Sequence, residues 1–548
     1  MRKIKILVIL FYFLFPFAFY YFKQDYNAVY FFVFLAFKAL FFYSVFAILD
    51  IINMKFLKII ALVIMFLPYI TSVVFIFMYN SFMKTAGVLA LFNTDTGEAA
   101  NFSRGLWWLY LVLLFSYVAI SVLYLKTTFV SKRMMTSGVR YFFVFSTVLL
   151  ISIAGQVVYS KKIDGTGGSY FHHFKLRMIK EFPVNLYFRL YEKMLIDKQS
   201  NEYREKISDF SFGAVKKDNK DQKEVHIFII GETQRSDLYR KELKKKVRGY
   251  DNFFKENMTI FPDFYSTANA TAYCIPLMVT RATVDEEDLT FKEPGIMKLF
   301  DEAGYKTFWI SNVDIFREVP AEFFKKDVDV FMPLYKKKRS DAILLKGLKE
   351  ALADTAKRKF IIMNVRGNHY FDYPKQYDHY KPNIGTENIG VISRKHRGLY
   401  INSYNNMTIF QLEMLDNLIG MIDSCNVVAS VTFSSDHGES VFEPPYYFYG
   451  HGSSTVPPEQ VHVFAFEWLS DEYKNSYPVK YRMVNEHKDK LISTDYIFYT
   501  LADVANISYK KENPAYMISD PGFKELNKLK VRGDGTPVVV DVTGNDQL

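Results

Sequence analysis

The sequence predicts a two-part protein: an N-terminal bundle of five transmembrane helices, followed by an α/β domain with a largely parallel central sheet. Apolar stretches crowd into the first third of the 548 residues, and charged residues crowd into the rest. Beyond residue 223, short β-rich runs alternate with helical patterns, which is typical of an α/β layer. The predicted domains are residues 1–160 for the membrane part, 161–222 for interfacial helices and a linker, and 223–548 for the outer domain.

The composition excludes two other classes of protein. With only two cysteines, the chain is not a small disulfide-stapled scaffold. Aromatic residues make up 18% of the sequence, which is far above the content of intrinsically disordered chains. The chain is therefore expected to fold. We also expect a monomer that acts at a membrane, with no nucleic-acid partner.

Five apolar stretches reach or approach the roughly 20 residues that a helix needs to cross a bilayer. They are Ile6–Phe22, Ala28–Leu49, Phe56–Met78, Leu106–Leu125 and Tyr141–Tyr159. The first follows a basic N-terminus, as a signal peptide does. Bulky aromatic residues stand where a small-residue cleavage site would be, which favours a retained helix.

Basic residues predict the orientation of these spans. Nine basic residues lie on the side of the N-terminus: Arg2, Lys3, Lys5, Lys55, Lys58, Lys126, Lys132, Arg133 and Arg140. Three lie on the opposite side: Lys23, Lys84 and Arg104. The positive-inside rule then puts the N-terminus in the cytoplasm and everything after about residue 160 outside. Lys38 lies near the middle of the second span, where a functional role, snorkelling and a bundle-facing position remain open.

Two segments beside the spans are expected to meet lipid. In the outer loop Asn80–Gly105, Thr94 and Glu98 stand four apart and would share one face of a short helix. Glu98 could receive the ammonium of a lipid head group there, although this stretch alone favours a solvated loop. From residue 161 to about 216, aromatic and basic residues mix as in helices that lie on a membrane surface, and Pro183 is expected to break them.

The outer domain shows alternating strand and helix patterns. Predicted strands are Val225–Ile230, Thr307–Ile310, Phe360–Val365, Val427–Phe433 and Val461–Phe466, and predicted helices are Ile296–Ala303, Ala342–Ala353 and Thr408–Ile422. Ligands of such sheets gather at the C-terminal ends of the strands.

Polar side chains follow three of these strands. Glu232 comes directly after the first strand, His369 follows the strand at Phe360, and Asp436 with His437 follows the strand at Val427. His451 lies further on, in Tyr449-Gly-His-Gly452. Carboxylates and neutral imidazoles are usual ligands of zinc. A lone glutamate after a strand is usually a cap or surface residue, but the set together predicts a metal site.

A candidate nucleophile precedes a predicted helix. Thr267-Ala-Asn-Ala-Thr-Ala-Tyr-Cys-Ile-Pro276 is typical of a loop entering a helix, and Thr271 would stand near the N-terminus. The free N–H groups and positive dipole end there favour a phosphoryl group. Zinc lowers the pKa of bound water from 15.7 to about 7, and a similar effect would activate the hydroxyl. The alternative is that Thr271 merely caps the helix.

With these motifs the chain resembles the phosphoethanolamine transferases of Gram-negative inner membranes. That family includes lipid A transferases and belongs to the alkaline phosphatase/sulfatase superfamily. The resemblance covers nearly the whole chain. It is carried by Gly231-Glu-Thr233, Thr271-Ala-Tyr-Cys-Ile-Pro276, Gly367-Asn-His369, Ser435-Asp-His-Gly-Glu-Ser440, Gly450-His-Gly452 and Asn93-Thr-Asp-Thr-Gly-Glu-Ala99. It implies a sulfatase-like fold for residues 223–548, with this domain in the periplasm.

The resemblance also implies roles for individual residues. One firm zinc site would comprise Glu232, Thr271, Asp436 and His437, with Thr271 as the phosphorylated nucleophile. His369 and His451 would hold phosphoethanolamine or a second zinc. The residues implied in binding the lipid donor are Thr94, Glu98, Asn312 and Arg317.

The chain departs from the family pattern in three places. Arg317 stands where the family often has Lys, which keeps the charge but changes the geometry. Asn364 falls where lipid A enzymes often have a further His. Family members commonly carry several disulfides, whereas Cys274 and Cys425 are alone here, and we expect both to be free thiols.

Cys274 also allows a second interpretation. Cys274-Ile-Pro276 is similar to the sulfatase signature Cys-x-Pro-x-Arg, in which the cysteine matures to formylglycine. Met278 occupies the Arg position, which argues against that chemistry and favours Thr271 as the nucleophile.

The hypothesis is a two-step transfer of phosphoethanolamine from phosphatidylethanolamine to an envelope acceptor, with lipopolysaccharide as the expected acceptor. Lipid A, heptose, Kdo and protein acceptors stay open. Added ammonium groups would weaken the binding of cationic peptides such as polymyxins. The rivals are a phosphoglycerol transferase of the lipoteichoic-acid-synthase type and a non-catalytic envelope scaffold with a relic site.

Overall fold

The structure is a computed structural model, and its two compact units are described separately. It describes residues 1–23, 28–79, 82–83, 88, 106–164, 174, 182–207, 210–218, 220–245, 250–313, 327–336, 340–369, 394–445, 447, 449–452, 456–533 and 537–540. Within these residues, contacts separate a helical unit that ends at Met194 from a second unit, the α/β domain, that begins at Leu195.

The helical unit is built from long apolar helices. They are α1 (Arg2–Lys23), α2 (Ala28–Ile52), α3 (Lys55–Tyr79), α4 (Trp107–Leu125) and α6 (Gly138–Asp164), with the short α5 (Lys132–Thr136) between the last two. All five long helices are long and apolar enough to cross a membrane, so the predicted spans are confirmed by length and composition. A further helix, α7 (Asn185–Lys206), begins just after Pro183.

Aromatic rings fill the interior of the helical unit. Tyr12 stacks on Tyr69 with ring centroids 4.6 Å apart, and such pairs contribute about 0.5–1.5 kcal/mol beyond burial. Lys38 is only 6% exposed, and its Nζ lies 4.4 Å from the centroid of the buried Phe17 ring. Lys38 therefore faces the interior of this unit, where a cation–π contact stabilises it, and does not snorkel.

A seven-stranded sheet forms the centre of the α/β domain. Its strands are β1 (Glu224–Gly231), β2 (Met258–Ile260), β3 (Lys306–Ser311), β4 (Val330–Pro333), β5 (Arg358–Asn364), β6 (Val428–Ser435) and β7 (Ala465–Leu469), in the order β2-β7-β6-β1-β5-β3-β4. Neighbours from β6 to β4 pair in parallel, and only β7 runs antiparallel to its neighbours. Consequently β1, β3, β5 and β6 all end at the same edge.

Helices cover both faces of this sheet. They are α8 (Ser236–Leu243), α9 (Thr271–Val279), α10 (Ile296–Glu302), α11 (Ile343–Leu352), α12 (Arg397–Asp423), α13 (Asp471–Ser476), α14 (Pro478–Glu486) and α15 (Ile497–Val504). On one face Phe228 of β1 joins a core with α9, α10 and α15, and on the other Ile227 joins a core with α11 and α12. Each such buried side chain contributes about 1.5–3 kcal/mol, so two cores hold the strand ends in place.

Short elements complete the domain. Two-residue strands pair as Val215–Lys216 with Ile507–Ser508, Phe264–Tyr265 with Ile492–Ser493, and Ser440–Val441 with Tyr449–Gly450, and a hairpin joins Leu529–Arg532 to Pro537–Val540. The 3₁₀ helices are Asp251–Phe254, Glu287–Phe291, Leu334–Lys336, Arg394–His396, Pro458–Gln460, Thr494–Tyr496 and Pro514–Tyr516.

The predicted strand Val461–Phe466 is wrong in its first four residues. The observed strand β7 begins at Ala465. Val463 N donates to Phe264 O (3.1 Å) and Phe464 N donates to Gln234 O (2.9 Å), so the N–H groups of these two residues bond to segments outside the central sheet. An apolar run alone does not show where backbone pairing begins.

Candidate active site

Glu232 is held by a tight turn directly after β1. Thr233 adopts a left-handed backbone conformation (φ 56°), which costs a non-glycine residue roughly 1–2 kcal/mol. The Tyr404 hydroxyl donates to Thr233 O (2.6 Å) and accepts from Arg235 N (2.8 Å), so α12 fixes this turn. Glu232 is 8% exposed and lies at the edge where the parallel strands end.

Asp436 and His437 follow β6, the neighbour of β1. Both side chains are fully buried. Asp436 N donates to Gly231 O (3.1 Å), and Asp436 Oδ1 accepts from Thr233 N (3.2 Å), so the two strand ends are tied together. Burial raises the pKa of the Asp436 carboxyl and lowers the pKa of the His437 imidazole, because both charged forms lose solvation.

The second nitrogen of His437 is already committed to the backbone. Its Nδ1 lies 2.9 Å from Gly438 O, and a carbonyl oxygen can only accept, so Nδ1 carries the hydrogen. The neutral ring therefore presents Nε2 as a lone pair. A ligating histidine is oriented in this way in metal sites.

Thr271 is the first residue of α9, and it meets both groups. Its Oγ1 lies 3.2 Å from Glu232 Oε2 and 3.1 Å from His437 Nε2. Ala270, the residue before the helix, is extended and makes no side-chain cap, so the hydroxyl stands beside the positive end of the helix dipole. A residue that only caps a helix needs no contact with a carboxylate and an imidazole, whereas the Thr271 hydroxyl contacts both.

The residues present suit a divalent metal ion. One ligand atom from each of Glu232, Asp436 and His437 lies within 4.8 Å of the others. Asp436 Oδ2 is buried and accepts no hydrogen bond from the residues that the structure describes. A buried carboxylate oxygen in this state is costly unless a cation neutralises it. Two carboxylates and a neutral imidazole are a usual donor set for zinc, and the Thr271 hydroxyl oxygen adds a fourth ligand atom.

Two further histidines line the same place. The His451 ring lies 4.2 Å from the His437 ring, centroid to centroid, and the His369 ring lies 6.2 Å from His451. His451 Nδ1 is 3.3 Å from Glu439 Oε2, so a carboxylate orients this ring. The structure thus brings His369 and His451 beside the four predicted ligands.

Of the four residues predicted to bind the lipid donor, the structure describes only Asn312. Asn312 follows β3 and is fully buried, and its Nδ2 donates to Asp341 Oδ1 (2.8 Å). Thr94, Glu98 and Arg317 lie outside the described residues. The binding roles of all four stay predictions.

Asp341 is a residue that the sequence analysis missed. Its carboxylate is fully buried and accepts from Arg366 N (2.9 Å) and Gly367 N (3.0 Å), which fixes the loop that leads to His369. Burial raises the pKa of this carboxyl. In the sequence Asp341 stands just before α11, where a helix-capping aspartate is expected, so nothing there signalled its long-range contacts.

Gly367 lets that loop approach the Glu232 backbone. Its φ is +53°, and a Cβ built on it would lie 2.3 Å from Glu232 O. The next residue, Asn368, donates its N–H to the same Glu232 O (2.9 Å). The loop of His369 is therefore locked against the turn of Glu232, and only glycine fits at this contact.

Both cysteines are free thiols, as expected. Cys274 is fully buried, and Cys425 is exposed. Burial raises the pKa of the Cys274 thiol, and its Sγ lies 3.5 Å from Ser266 Oγ. Cys274 belongs to the hydrophobic core between α9 and the sheet, which supports Thr271 as the side chain presented to the ligands.

Known proteins resemble this chain in sequence and in fold. The family model described as Sulfatase matches residues 225–507, which is more than half of the chain. The chain belongs to the sulfatase family. Phosphoethanolamine transferase EptC of Escherichia coli (strain K12) is 25% identical over 291 residues, covering 50% of this chain and 48% of that protein. Phosphoethanolamine transferase EptA of Salmonella typhimurium (strain LT2) is 26% identical over 305 residues, covering 52% and 54%.

The chain spans about half the length of the curated relatives that it matches. Among solved structures, the integral membrane protein lipooligosaccharide phosphoethanolamine transferase A from Neisseria meningitidis aligns with a TM-score of 0.73 at 16% identity, covering 94% of this chain and 98% of that one. The C-terminal periplasmic domain of EptC from Escherichia coli aligns with a TM-score of 0.54 at 21% identity, covering 61% and 97%. The predicted fold class and the resemblance are confirmed.

Proposed function

We propose that this sulfatase-family chain is a zinc-dependent phosphoethanolamine transferase that acts through a phosphorylated Thr271. The observation that carries the proposal is the position of Thr271 Oγ1, at a helix N-terminus and within 3.2 Å of both Glu232 and His437. The curated relatives are named phosphoethanolamine transferases, which supports the same activity here. The donor is phosphatidylethanolamine.

In the first step Thr271 attacks the donor. A bond forms between Thr271 Oγ1 and phosphorus, and the bond from phosphorus to the diacylglycerol oxygen breaks. The hydroxyl proton, which Thr271 directs at Glu232 Oε2, ends on the released diacylglycerol. The dipole of α9 stabilises the negative charge of the phosphoryl group, and His369 and His451 hold the phosphoethanolamine.

In the second step the acceptor takes the group. A hydroxyl or phosphate oxygen of the acceptor attacks the same phosphorus, and the bond to Thr271 Oγ1 breaks. The proton of an attacking hydroxyl, or a solvent proton when an ionised phosphate attacks, ends on Thr271 Oγ1. Covalent catalysis divides one difficult displacement into two easier ones. Lipopolysaccharide is the expected acceptor, and a curated relative named Kdo(2)-lipid A phosphoethanolamine 7''-transferase supports that class.

Glu232, Asp436 and His437 would hold the zinc ion together with Thr271. When bound there, zinc would lower the pKa of the threonine hydroxyl and offset negative charge on the phosphoryl oxygens. A solved structure of the periplasmic EptC domain from Escherichia coli is described as a complex with Zn, which is consistent with this choice of metal.

The proposal includes the arrangement in the cell. The protein is a monomer in the bacterial inner membrane, and residues 1–160 form its five-span domain. Residues 161–222 are the interfacial helices and linker at the membrane surface, and residues 223–548 form the periplasmic catalytic domain. Thr94, Glu98, Asn312 and Arg317 contribute to binding of the lipid donor.

Head-group selection tests the proposal. Purified full-length protein in detergent, supplied with lipopolysaccharide, should release labelled diacylglycerol from acyl-labelled phosphatidylethanolamine and not from acyl-labelled phosphatidylglycerol. Thr271→Ala should abolish release while keeping a folded protein, and Thr271→Ser should retain part of it. Release from phosphatidylglycerol alone would support the lipoteichoic-acid-synthase type. No release from either lipid would support a relic site.

A further inference from the structure

The 3₁₀ helix Pro458–Gln460 stands between three segments that carry or directly precede the active-site side chains. We call these the nucleophile loop (267–270), the ligand loop (436–440) and the histidine loop (449–452). Gln460 is fully buried, and its side chain and backbone bond to all three. The proposed function gives this residue no role.

The nucleophile loop is tied to Gln460 through Asn269. Asn269 Nδ2 donates to Gln460 Oε1 (2.8 Å), and Asn269 precedes Thr271 by two residues. The backbone of Asn269 also accepts from Gly452 N (2.7 Å), so the nucleophile loop and the histidine loop touch at this point. The placement of Thr271 therefore depends on a buried amide outside the loop that leads to it.

The ligand loop meets Gln460 on its other side. Gly438 N donates to Gln460 O (2.9 Å), and Gln460 Nε2 donates to Ser440 Oγ (3.2 Å). A Cβ built on Gly438 would lie 2.2 Å from Glu459 O, which shows how closely the two backbones approach. Gly438 directly follows His437, so this contact fixes the position of the His437 side chain.

The histidine loop completes the set. Gln460 Nε2 donates to Gly450 O (2.8 Å), the carbonyl of the residue just before His451. One side-chain amide thus accepts from the nucleophile loop at its oxygen and donates to the histidine loop at its nitrogen. A side chain with a single kind of polar atom cannot do both.

We propose that Gln460 is a positioning residue that sets His451 against Thr271. The inference rests on the proposed function, because it concerns placement of the same phosphoryl group. Replacing Gln460 with an apolar side chain of similar length leaves Asn269 Nδ2, Gly450 O and Ser440 Oγ without this partner. The hydrogen bond from Gly452 N to Asn269 O does not involve Gln460 and remains. We therefore expect the histidine loop to shift but to stay folded.

Such a shift affects turnover more than binding. A displacement of about 1 Å of a positioned group can cost up to about 100-fold in rate. Gln460→Met should therefore lower kcat for release of labelled diacylglycerol from phosphatidylethanolamine by about 10–100-fold and leave KM within about twofold. Zinc per chain should stay at the wild-type value.

A double-mutant cycle on the full-length protein separates positioning from general damage. If Gln460 acts through His451, Gln460→Met in a His451→Ala background should lower kcat by less than about threefold further. Gln460→Glu keeps the acceptor for Asn269 but turns a second oxygen toward Gly450 O, and it should show the same dependence on His451. The matched control is Asn252→Ala, a buried amide that donates to Asp416 O (3.0 Å), which should leave kcat unchanged.

Each other outcome overturns the inference. A full 10–100-fold loss repeated in the His451→Ala background, a proportional loss of zinc, or a wild-type kcat for Gln460→Met would refute the positioning role. If Gln460→Met does not fold, Gln460→Glu is judged by the same measurements. A wild-type protein that releases no labelled diacylglycerol overturns the proposed function and this role with it. An active wild type with an equally active Gln460→Met overturns this role alone.

Discussion

The carboxyl group of Glu467 is buried in the core of the α/β domain. Replacing Glu467 with Gln should stabilise the protein. Glu467 lies on β7, is 2% exposed, and faces Thr432 across the strand pair. Its Oε1 accepts no hydrogen bond within the described part of the chain. Burial raises the pKa of Glu467 to about 8, because the ionised form loses its hydration.

The size of the effect follows from this pKa. Below about pH 4.5 the carboxyl is protonated in the folded and the unfolded chain, so folding is not opposed. Between pH 4.5 and 8 only the unfolded chain ionises, and the free energy of unfolding falls as the pH rises. At about 1.4 kcal/mol per pH unit, the loss reaches an upper limit of roughly 5 kcal/mol above pH 8.

The assay is thermal unfolding of full-length protein in detergent at pH 5, 7 and 9. Glu467→Gln should match the wild-type Tm at pH 5 and exceed it by roughly 5 °C or more at pH 9. The control is Asp503→Asn, since Asp503 is equally buried but is bonded to Lys480 Nζ (2.5 Å) and Ser519 Oγ (2.6 Å), and this change should lower Tm. A Tm difference for Glu467→Gln that is constant with pH would refute the reasoning.

Two further predictions concern the metal-binding cluster. Gly367→Ala places a Cβ 2.3 Å from Glu232 O at a left-handed position, so zinc affinity in equilibrium dialysis should fall at least about tenfold. Gly398→Ala, where a Cβ meets nothing within 4 Å, is the control, and equal affinities would contradict the clash. Chelation should abolish transfer, and added zinc should restore it in wild type but not in His437→Ala. Full activity of the chelated enzyme would rule out a metal role.

The strands and their polar ends were predictable because they are local signals. β1 and β5 are mostly apolar runs that are buried on both faces, and the predicted ranges differ from the observed ones by one or two residues. Glu232, Asp436 and His437 come together because they directly follow neighbouring parallel strands. Their convergence needed only the rule that ligands gather at that edge.

Features that depend on distant partners could not be predicted. The first half of α12 was missed because Ser403 and Asn406 are polar yet fully buried, so the run shows no apolar face. Gln460 was missed because its partner Asn269 lies 191 residues away. Asp341 likewise bonds to Gly367, 26 residues on. Sequence spacing reports contacts within one element, and these side chains connect separate loops.

The most direct test is to find where the transferred group is attached. Full-length protein is incubated with phosphatidylethanolamine labelled in its head group, quenched and digested, and its peptides are sequenced by mass spectrometry. We expect phosphoethanolamine on Thr271 in the wild type, and none in the zinc-depleted protein or in His437→Ala. Label on a different residue, or equal labelling of Thr271→Ala, would contradict the assignment of Thr271 as the nucleophile.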